Sequence, residues 1–285
     1  MRGLAAFLVL LVAGLMVPAA TAGWWLRDTV VPRSAYVETV APLADDPDVQ
    51  DAVAATLVKR TRASLGGVPA PIADRVEALV ARATRVVVEG PAFARAWEES
   101  NRAAHRQIVG ALTGDSESVG VDSGSTVELR LGPLSAAVRE EVDKAGIPFS
   151  GAIPRAESTY PLGSTDDLGR AQIAFRLLKD YGRALPAIAV ILLVVGLGLA
   201  RRFGPALVGT ALLGLIGLGG LWLALGAGRS SYLDSLPAAV PEAAGRAYYD
   251  VLTAGLYDLM GYVTIGCAAA VLIGIIGSVA GGRRA

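Results

Sequence analysis

Three side chains near the middle of the chain could bind a ligand or take part in chemistry: Trp97, Asn101 and His105. They follow one another at intervals of four residues in a segment that Pro91 opens and Gly114 closes, which is how a helix is commonly bounded. Residues four apart lie on the same helical face. The three side chains could therefore line a ligand pocket, in which His105 would change its charge near neutral pH.

A structural role for the same residues is the interpretation that we favour. Asn101 falls inside the apolar stripe of the predicted helix, where an unpaired amide costs about 1–3 kcal/mol. We therefore expect its amide to tie down the backbone of a neighbouring loop. His105 falls at the margin of the stripe and would then lie half-exposed.

Few residues of this chain have the types and spacing that catalysis needs. His105 is the only histidine, and the serines that follow it lie in a Gly, Ser and Asp stretch without a G-x-S-x-G turn. They are Ser116, Ser118, Ser123 and Ser125. No Cys and His cluster suggests a metal site, and no glycine pattern suggests a phosphate-binding loop. We expect no enzyme activity, no cofactor and no metal.

The elements that position these residues follow from the distribution of charge. Four stretches contain no Asp, Glu, Lys or Arg: residues 3–25, 184–200, 203–228 and 259–282. Each is close to or above the length that a helix needs to cross a bilayer. We predict four transmembrane helices, within residues 1–25, 184–202, 203–228 and 258–285.

The arginines predict how the chain is threaded through the membrane. Only Arg2, Arg201, Arg202, Arg283 and Arg284 fall on one side. The other side receives the remaining 21 of the 26 basic residues and all 26 acidic residues, so net charges of +5 and −5 face each other. Lys and Arg favour cytoplasmic segments. We therefore expect a multi-pass protein of the plasma membrane with both termini in the cytoplasm.

The first uncharged stretch allows two interpretations. Ala20-Thr21-Ala22 has the small-residue pattern of a signal-peptide cleavage site. The adjacent Trp24 and Trp25 suit the outer interface of a retained signal-anchor helix, which is the alternative that we favour. Both place the following domain outside the cytoplasm.

Residues 26–183 are expected to form a mostly helical extracytoplasmic domain. Helix starts are predicted at Asp46-Pro47, Pro71 and Pro91. Residues 126–131 alternate between polar and apolar types, and a second extended stretch follows around residues 158–162. These two stretches predict a small two-stranded β element.

The remaining segments outside the membrane are also expected to contain helices. One is predicted over residues 134–145. Another begins at Ser164-Thr165 and continues into the second span, bent or relaxed at Pro186. The extracytoplasmic loop over residues 229–257 contains a helix start at Pro241-Glu242 and tyrosines that suit the membrane interface. This loop could lie along the membrane or rise to contact the extracytoplasmic domain.

Glycines in the last two spans are expected to pack helices closely. Small residues allow helix backbones to approach one another in lipid. The glycines singled out are Gly214, Gly217, Gly220, Gly274, Gly277 and Gly281. They could serve packing within one chain, which we favour, or a seam between two copies.

Three segments of the chain resemble a known family: Trp25 to Val30, Tyr36 to Gln50, and Trp97-Glu98-Glu99-Ser100-Asn101-Arg102-Ala103-Ala104-His105. They are similar to segments of uncharacterised integral membrane proteins from high-GC actinobacteria, and the third is similar to the W-x3-N-R-x2-H helix of that family. The resemblance covers most of the chain and implies the same order of spans, with an extracytoplasmic helical domain after the first. It implies no activity.

These observations predict a mainly α membrane protein without enzyme activity, whose extracytoplasmic domain binds a protein, an envelope component or a small ligand. An accessory subunit of a transport system is one alternative, and an envelope hydrolase is another. The expected partners are the bilayer, another membrane or envelope protein, or a second copy of the chain. No basic cluster indicates a nucleic-acid partner.

Overall fold

A computed structural model of the chain describes residues 2–64, 69–114, 119–121, 126–130, 159–237 and 240–282. Its helices are α1 (Arg2–Trp25), α2 (Arg33–Val40), α3 (Pro47–Ser64), α4 (Ala70–Val88), α5 (Pro91–Thr113), α6 (Thr165–Tyr181), α7 (Ala184–Leu199), α8 (Phe203–Asp234) and α9 (Glu242–Gly282). A π-helical turn, Leu26–Val30, extends α1, and a 3-10 turn, Ala41–Asp45, follows α2. The predicted helix over residues 134–145 lies outside the described residues.

The chain divides into two compact units. The bundle unit comprises the described residues of Met1–Pro32, Arg176–Ser230 and Thr253–Ala285. The mixed unit comprises those of Arg33–Phe175 and Ser231–Leu252. The chain passes from one unit to the other between Pro32 and Arg33 and again within α6, α8 and α9.

Three segments in the described part of the chain are long and apolar enough to cross a membrane: Arg2–Val30, Phe203–Asp234 and Glu242–Val279. The expectation of four separate membrane helices was therefore wrong. The 16 residues of α7 span only about 24 Å, less than the roughly 30 Å of a hydrocarbon core. A fourth crossing arises only if α7 is counted together with Gly169–Tyr181, from which it is bent by 71°.

The bend before α7 lies at Gly182 and Arg183, and the predicted bend at Pro186 is wrong. Pro186 occupies the first turn of α7, where the missing N–H of proline has no helical partner to lose. A Cβ on Gly182 would collide with the carbonyl oxygens of Leu178 and Gly23. The helix break therefore coincides with a close backbone approach that glycine permits.

The helices of the bundle unit run in alternating directions. Gly23 of α1 lies against Gly182 and Leu185 beside α7, while Gly196 near the other end of α7 lies against Val9 and Leu10. These contacts make α1 and α7 antiparallel.

The contacts of α8 give its direction relative to α1 and α9. Gly14 of α1 approaches Thr210 and Leu213, and Pro18 approaches Gly217, so α1 and α8 are parallel. Gly204 near the start of α8 faces Gly274 near the end of α9. Leu218, further along α8, shares a buried cluster with Leu256 and Met260 of α9. The two helices are therefore antiparallel.

Helix α3 of the mixed unit begins as its sequence predicts. The Oδ1 atom of Asp46 accepts hydrogen bonds from the backbone N–H groups of Asp48 and Val49, at 2.9 Å and 3.2 Å. This side-chain cap satisfies donors that the helix itself cannot satisfy, and Pro47 at the first position lacks one.

The core of the mixed unit brings together distant parts of the chain. Tyr36, Val37 and Val40 of α2 pack with Leu43, Val49 and Ala244. Partly buried side chains from α5 and α9 surround them, including those of Trp97, Tyr248 and Leu252.

The predicted two-stranded β element is wrong in its composition. The described backbone forms a three-stranded antiparallel sheet in the order β1 (Val119–Val121), β2 (Thr126–Arg130) and β3 (Thr159–Ser164). The register places Gly120 opposite Glu128 and Leu129 opposite Tyr160. A three-residue strand around glycine is too short to show a period of two, so its sequence indicated a loop.

The segment predicted as a loop over residues 229–257 is largely helical. Helix α8 continues to Asp234, and α9 begins at Glu242, directly after the Pro241 that predicted its start. Of the two alternatives for this segment, the packing of Tyr248 in the core of the mixed unit matches contact with the extracytoplasmic domain rather than a position at the membrane interface.

Candidate functional site

The three singled-out side chains project from α5, a helix of 23 residues. Gly114 ends the helix with φ = 92°, a left-handed conformation that glycine adopts without steric cost. Its N–H is bonded to the carbonyl of Ala111. The predicted limits of this helix are therefore confirmed.

Trp97 joins α5 to the end of α2. Its indole Nε1 donates a hydrogen bond of 2.8 Å to the carbonyl oxygen of Val40. Val40 is fully buried, and α2 gives way to the 3-10 turn immediately after it. Trp97 therefore ties the backbone at the junction between α2 and the 3-10 turn to α5.

Asn101 is buried one turn further along α5 and bonds in two directions. Its Nδ2 donates to the carbonyl oxygen of Trp97 at 2.9 Å. Its Oδ1 accepts from the hydroxyl groups of Tyr36 and Tyr248, at 3.4 Å each. The side-chain amide therefore connects α2, α5 and α9 within the mixed unit.

The two tyrosine hydroxyl groups also form a short hydrogen bond with each other. Each hydroxyl group has one proton and the Asn101 oxygen has none, so only two of these three contacts can be hydrogen bonds at one time. One tyrosine can donate to the other, which then donates to the Asn101 oxygen. Burial raises the pKa of the Tyr36 hydroxyl above its usual range, and the hydrogen bond with Tyr248 only partly offsets that effect.

His105 completes this group of residues, which we call the tyrosine cluster: Tyr36, Trp97, Asn101, His105 and Tyr248. The imidazole ring of His105 lies 4.7 Å from the ring of Tyr36, centroid to centroid, with the ring planes at 37°. Its side chain is only 6% exposed, so the expectation that it would be half-exposed is wrong.

The contacts of the cluster favour a structural role over a ligand pocket. The Trp97 indole and the Asn101 amide make their hydrogen bonds to groups of the protein itself. The expectation that Asn101 would hold a neighbouring loop was wrong in detail. Asn101 bonds two side chains and its own helix, while Trp97 holds the backbone of the adjacent segment.

Tyr36 and Tyr248 were not predicted to belong to this cluster, although the spacing of residues around Tyr248 indicates a buried helical face. Ala244, Tyr248, Val251 and Leu252 repeat at helical spacing and all belong to the core of the mixed unit. Tyr36 lies in the short helix α2, whose eight residues give only two turns of pattern.

The structure describes only some of the residues that bear on catalysis. The adjacent acids Glu98 and Glu99 of α5 each lie near Arg102, in partly exposed ion pairs. Ser116, Ser118, Ser123 and Ser125 lie outside the described residues. No group of three or more His, Cys, Asp or Glu side chains suited to a metal ion occurs among the residues that were placed.

The predicted packing glycines have different surroundings in the bundle unit. A Cβ on Gly217 would lie 2.9 Å from Pro18 Cγ, and one on Gly274 would lie 2.7 Å from Val208 Cγ2. One on Gly214 would lie 3.2 Å from Val17 Cγ2, and one on Gly277 would be 3.9 Å from Phe203. Gly220 has open space around it. Only the backbone of Gly281 is described.

Several tight contacts involve glycines that the sequence analysis did not single out. A Cβ on Gly204 would lie 2.5 Å from the carbonyl oxygen of Gly274, and one on Gly196 would lie 2.6 Å from Leu10 Cγ. The uncharged stretches contain so many glycines that type and spacing alone cannot identify those that face a neighbour.

Comparisons with family models, with curated proteins and with solved structures found no match to this chain. The resemblance to an actinobacterial membrane protein family therefore stays a prediction. The function must be argued from the geometry alone.

Proposed function

We propose that this chain is an integral membrane protein without enzyme activity, whose mixed unit binds a helix of another protein along the exposed face of α4. The observation that supports the proposal is a line of three aliphatic side chains on that helix. Ile72, Leu79 and Val86 are 55%, 64% and 74% exposed.

The spacing of these side chains suits a helical partner. They lie seven residues apart, so they follow one another along one face of α4, as in the seam between two packed helices. The opposite side of α4 carries Thr84 and Val88, which are buried within the mixed unit. The helix therefore has one apolar face that is covered and a second that is exposed.

This line is also the main exposed apolar feature of the mixed unit. Ile72, Leu79 and Val86 account for three of the six strongly exposed large apolar side chains described there. The other three are scattered over separate elements: Ile108, Ile173 and Val240. Isolated exposed apolar residues are ordinary, whereas a continuous line on one helix indicates an interaction surface.

The charged residues beside the three aliphatic side chains indicate which charges the partner should have. Helical geometry places Arg75 and Arg82 along one border of the three aliphatic side chains, and both residues are exposed. A partner helix with an apolar face bordered by Asp or Glu would complement this surface. The exposed apolar residues of α4 include no Trp, Tyr or Phe, the residues that typically anchor a helix in the membrane interface.

The strength of such a contact suits two proteins that share a membrane. Burying these three partly exposed side chains contributes about 3–5 kcal/mol before the costs of association are subtracted. That energy is modest for partners that meet in solution. A common bilayer raises their effective concentration, so a weak contact can suffice.

The proposed threading places both chain termini in the cytoplasm and the segment that follows α1 outside it. It requires an even number of crossings, so Gly169–Tyr181 and α7 must together form the fourth. The helix directions in the bundle unit support this arrangement. They bring the starts of α1 and α8 and the ends of α7 and α9 to one end of the bundle, near Arg2, Arg201 and Arg202. Lys and Arg at one end of a bundle favour the cytoplasmic side.

A photoreactive amino acid in place of Leu79 tests the proposed surface in living cells. We expect a protein adduct of one defined size, and we expect it to weaken strongly when Ile72→Glu and Val86→Glu are also present. The matched control carries the same amino acid in place of Ala78, which is exposed on a different face of α4.

The adducts also distinguish the alternatives. Equal protein adducts from both positions, or lipid adducts from Leu79, would contradict the proposal, and lipid adducts would indicate a membrane-contacting helix instead. If the trapped partner belongs to a transport system, the chain is an accessory subunit of that system.

A further inference from the structure

The bundle unit contains a groove of about 520 Å³ at the end that carries the arginines. The first turns of α1, the short connection between α7 and α8, and the first turns of α8 enclose it. Its lining is mainly apolar and includes Phe7, Leu10 and Leu213. The volume falls within the range of sites that hold a small molecule.

Two positive charges lie at one edge of this groove. Arg201 and Arg202 both contribute to its lining, and both are exposed. Among the described residues, neither arginine forms an ion pair with a carboxylate. The N-terminus of α8, which begins at Phe203, adds the partial positive charge of a helix dipole.

An apolar lining with two guanidinium groups at its edge favours an amphiphile that has a negative head group. A small inorganic anion would leave the apolar lining without a partner, and an uncharged hydrocarbon would leave both guanidinium groups unused. Arginine recognises phosphate through several directed N–H groups. Basic pockets between membrane helices are known to hold anionic lipid head groups.

We infer that this groove binds one anionic phospholipid. Arg201 and Arg202 bind its phosphate, and an acyl chain lies over Phe7, Leu10 and Leu213. The inference does not depend on the α4 surface. It concerns a different unit and a different class of ligand, and it holds for either direction of threading.

The test is native mass spectrometry of the full-length protein in a mild detergent, titrated with phosphatidylglycerol or with phosphatidylcholine of the same acyl chains. We expect one phosphatidylglycerol to bind at least tenfold more tightly than phosphatidylcholine. The double variant Arg201→Gln/Arg202→Gln should lose roughly 10- to 30-fold of that affinity, since each arginine near a lipid head group adds about fivefold.

A second variant keeps both charges and fills the groove. Gly209 lines the groove, and a side chain added there meets nothing within 4 Å, so Gly209→Leu should block the acyl chain without disturbing the fold. The matched control is Gly219→Leu on the same helix, which also has open space and does not line the groove.

Each possible result either supports or overturns the inference. Loss of phosphatidylglycerol binding in both groove variants, with normal binding in Gly219→Leu, supports the inference. Equal affinity for the two lipids, unchanged binding in Gly209→Leu, or full competition by glycerol phosphate without acyl chains would overturn it.

Discussion

The hydroxyl groups of Tyr36 and Tyr248 are hydrogen-bonded to each other although 212 positions separate the two residues. Both also approach the side-chain oxygen of Asn101. Contacts between such distant positions require the fold to be complete, so the tyrosine cluster reports directly on the packing of the mixed unit.

Removing either hydroxyl group should weaken the fold by a similar amount. We expect Tyr36→Phe and Tyr248→Phe each to lower the free energy of unfolding by about 0.5–1.5 kcal/mol. The double variant should cost less than the sum, because the second substitution removes a group that has already lost one partner. Chemical denaturation in detergent measures the effect, with Tyr262→Phe as a control, since Tyr262 is exposed. Strict additivity would show that the two hydroxyl groups are not coupled.

The raised pKa of Tyr36 predicts a loss of stability at high pH. The folded protein holds the phenolic proton more tightly than the unfolded chain, whose tyrosines titrate near 10.0. This contribution is therefore fully present below pH 10 and is lost as the pH rises through the higher folded value. Unfolding free energies measured from pH 8 upward should fall less steeply in Tyr36→Phe than in the parent protein. Parallel curves for the two proteins would contradict the assignment, and Tyr262→Phe again serves as the control.

Close packing of α8 against α9 predicts a sharp difference between two glycine substitutions. Gly204→Ala places a methyl group 2.5 Å from the carbonyl oxygen of Gly274, so we expect a loss of about 1–3 kcal/mol. Gly220→Ala meets no atom within 4 Å and should be neutral or slightly stabilising, because alanine favours helix. Melting temperatures in detergent compare the two variants. Similar values for both would show that α8 and α9 do not approach at Gly204.

Thiol labelling tests the proposed threading. In a Cys267→Ser background, Glu89→Cys should react with a membrane-impermeant maleimide on intact cells. Ala200→Cys should react only after the cells are permeabilised. The reverse pattern would invert the topology. A further variant, Gly3→Cys, distinguishes the two interpretations of the first helix, because cleavage after Ala22 would remove its label from the mature protein.

The sequence predicted local boundaries well where a single residue determines them. Asp46 and Pro47 start α3 through a cap and a missing donor, and Gly114 ends α5 through its left-handed backbone. Both effects act within a few residues. They leave the same signal in any fold, so no knowledge of the tertiary structure is needed.

Features that depend on distant partners could not be predicted in the same way. Proline suggested a bend at Pro186, but the break occurs at Gly182, where the backbone of Gly23 comes close. The sequence predicted that His105 would be half-exposed, but its side chain is buried and packs against the ring of Tyr36. In each case the deciding atom belongs to another helix, and helical periodicity gives no information about it.

Helix α9 contains 41 residues and so measures about 60 Å along its axis, about twice the thickness of a bilayer core. Its sequence after Glu242 contains no proline that would interrupt this rod. Helices adjust to thinner or thicker membranes by tilting. For a rod of this length, a ten-degree change in tilt moves one end by roughly 10 Å relative to the other. A change in bilayer thickness would therefore be felt most strongly at the two ends of this helix.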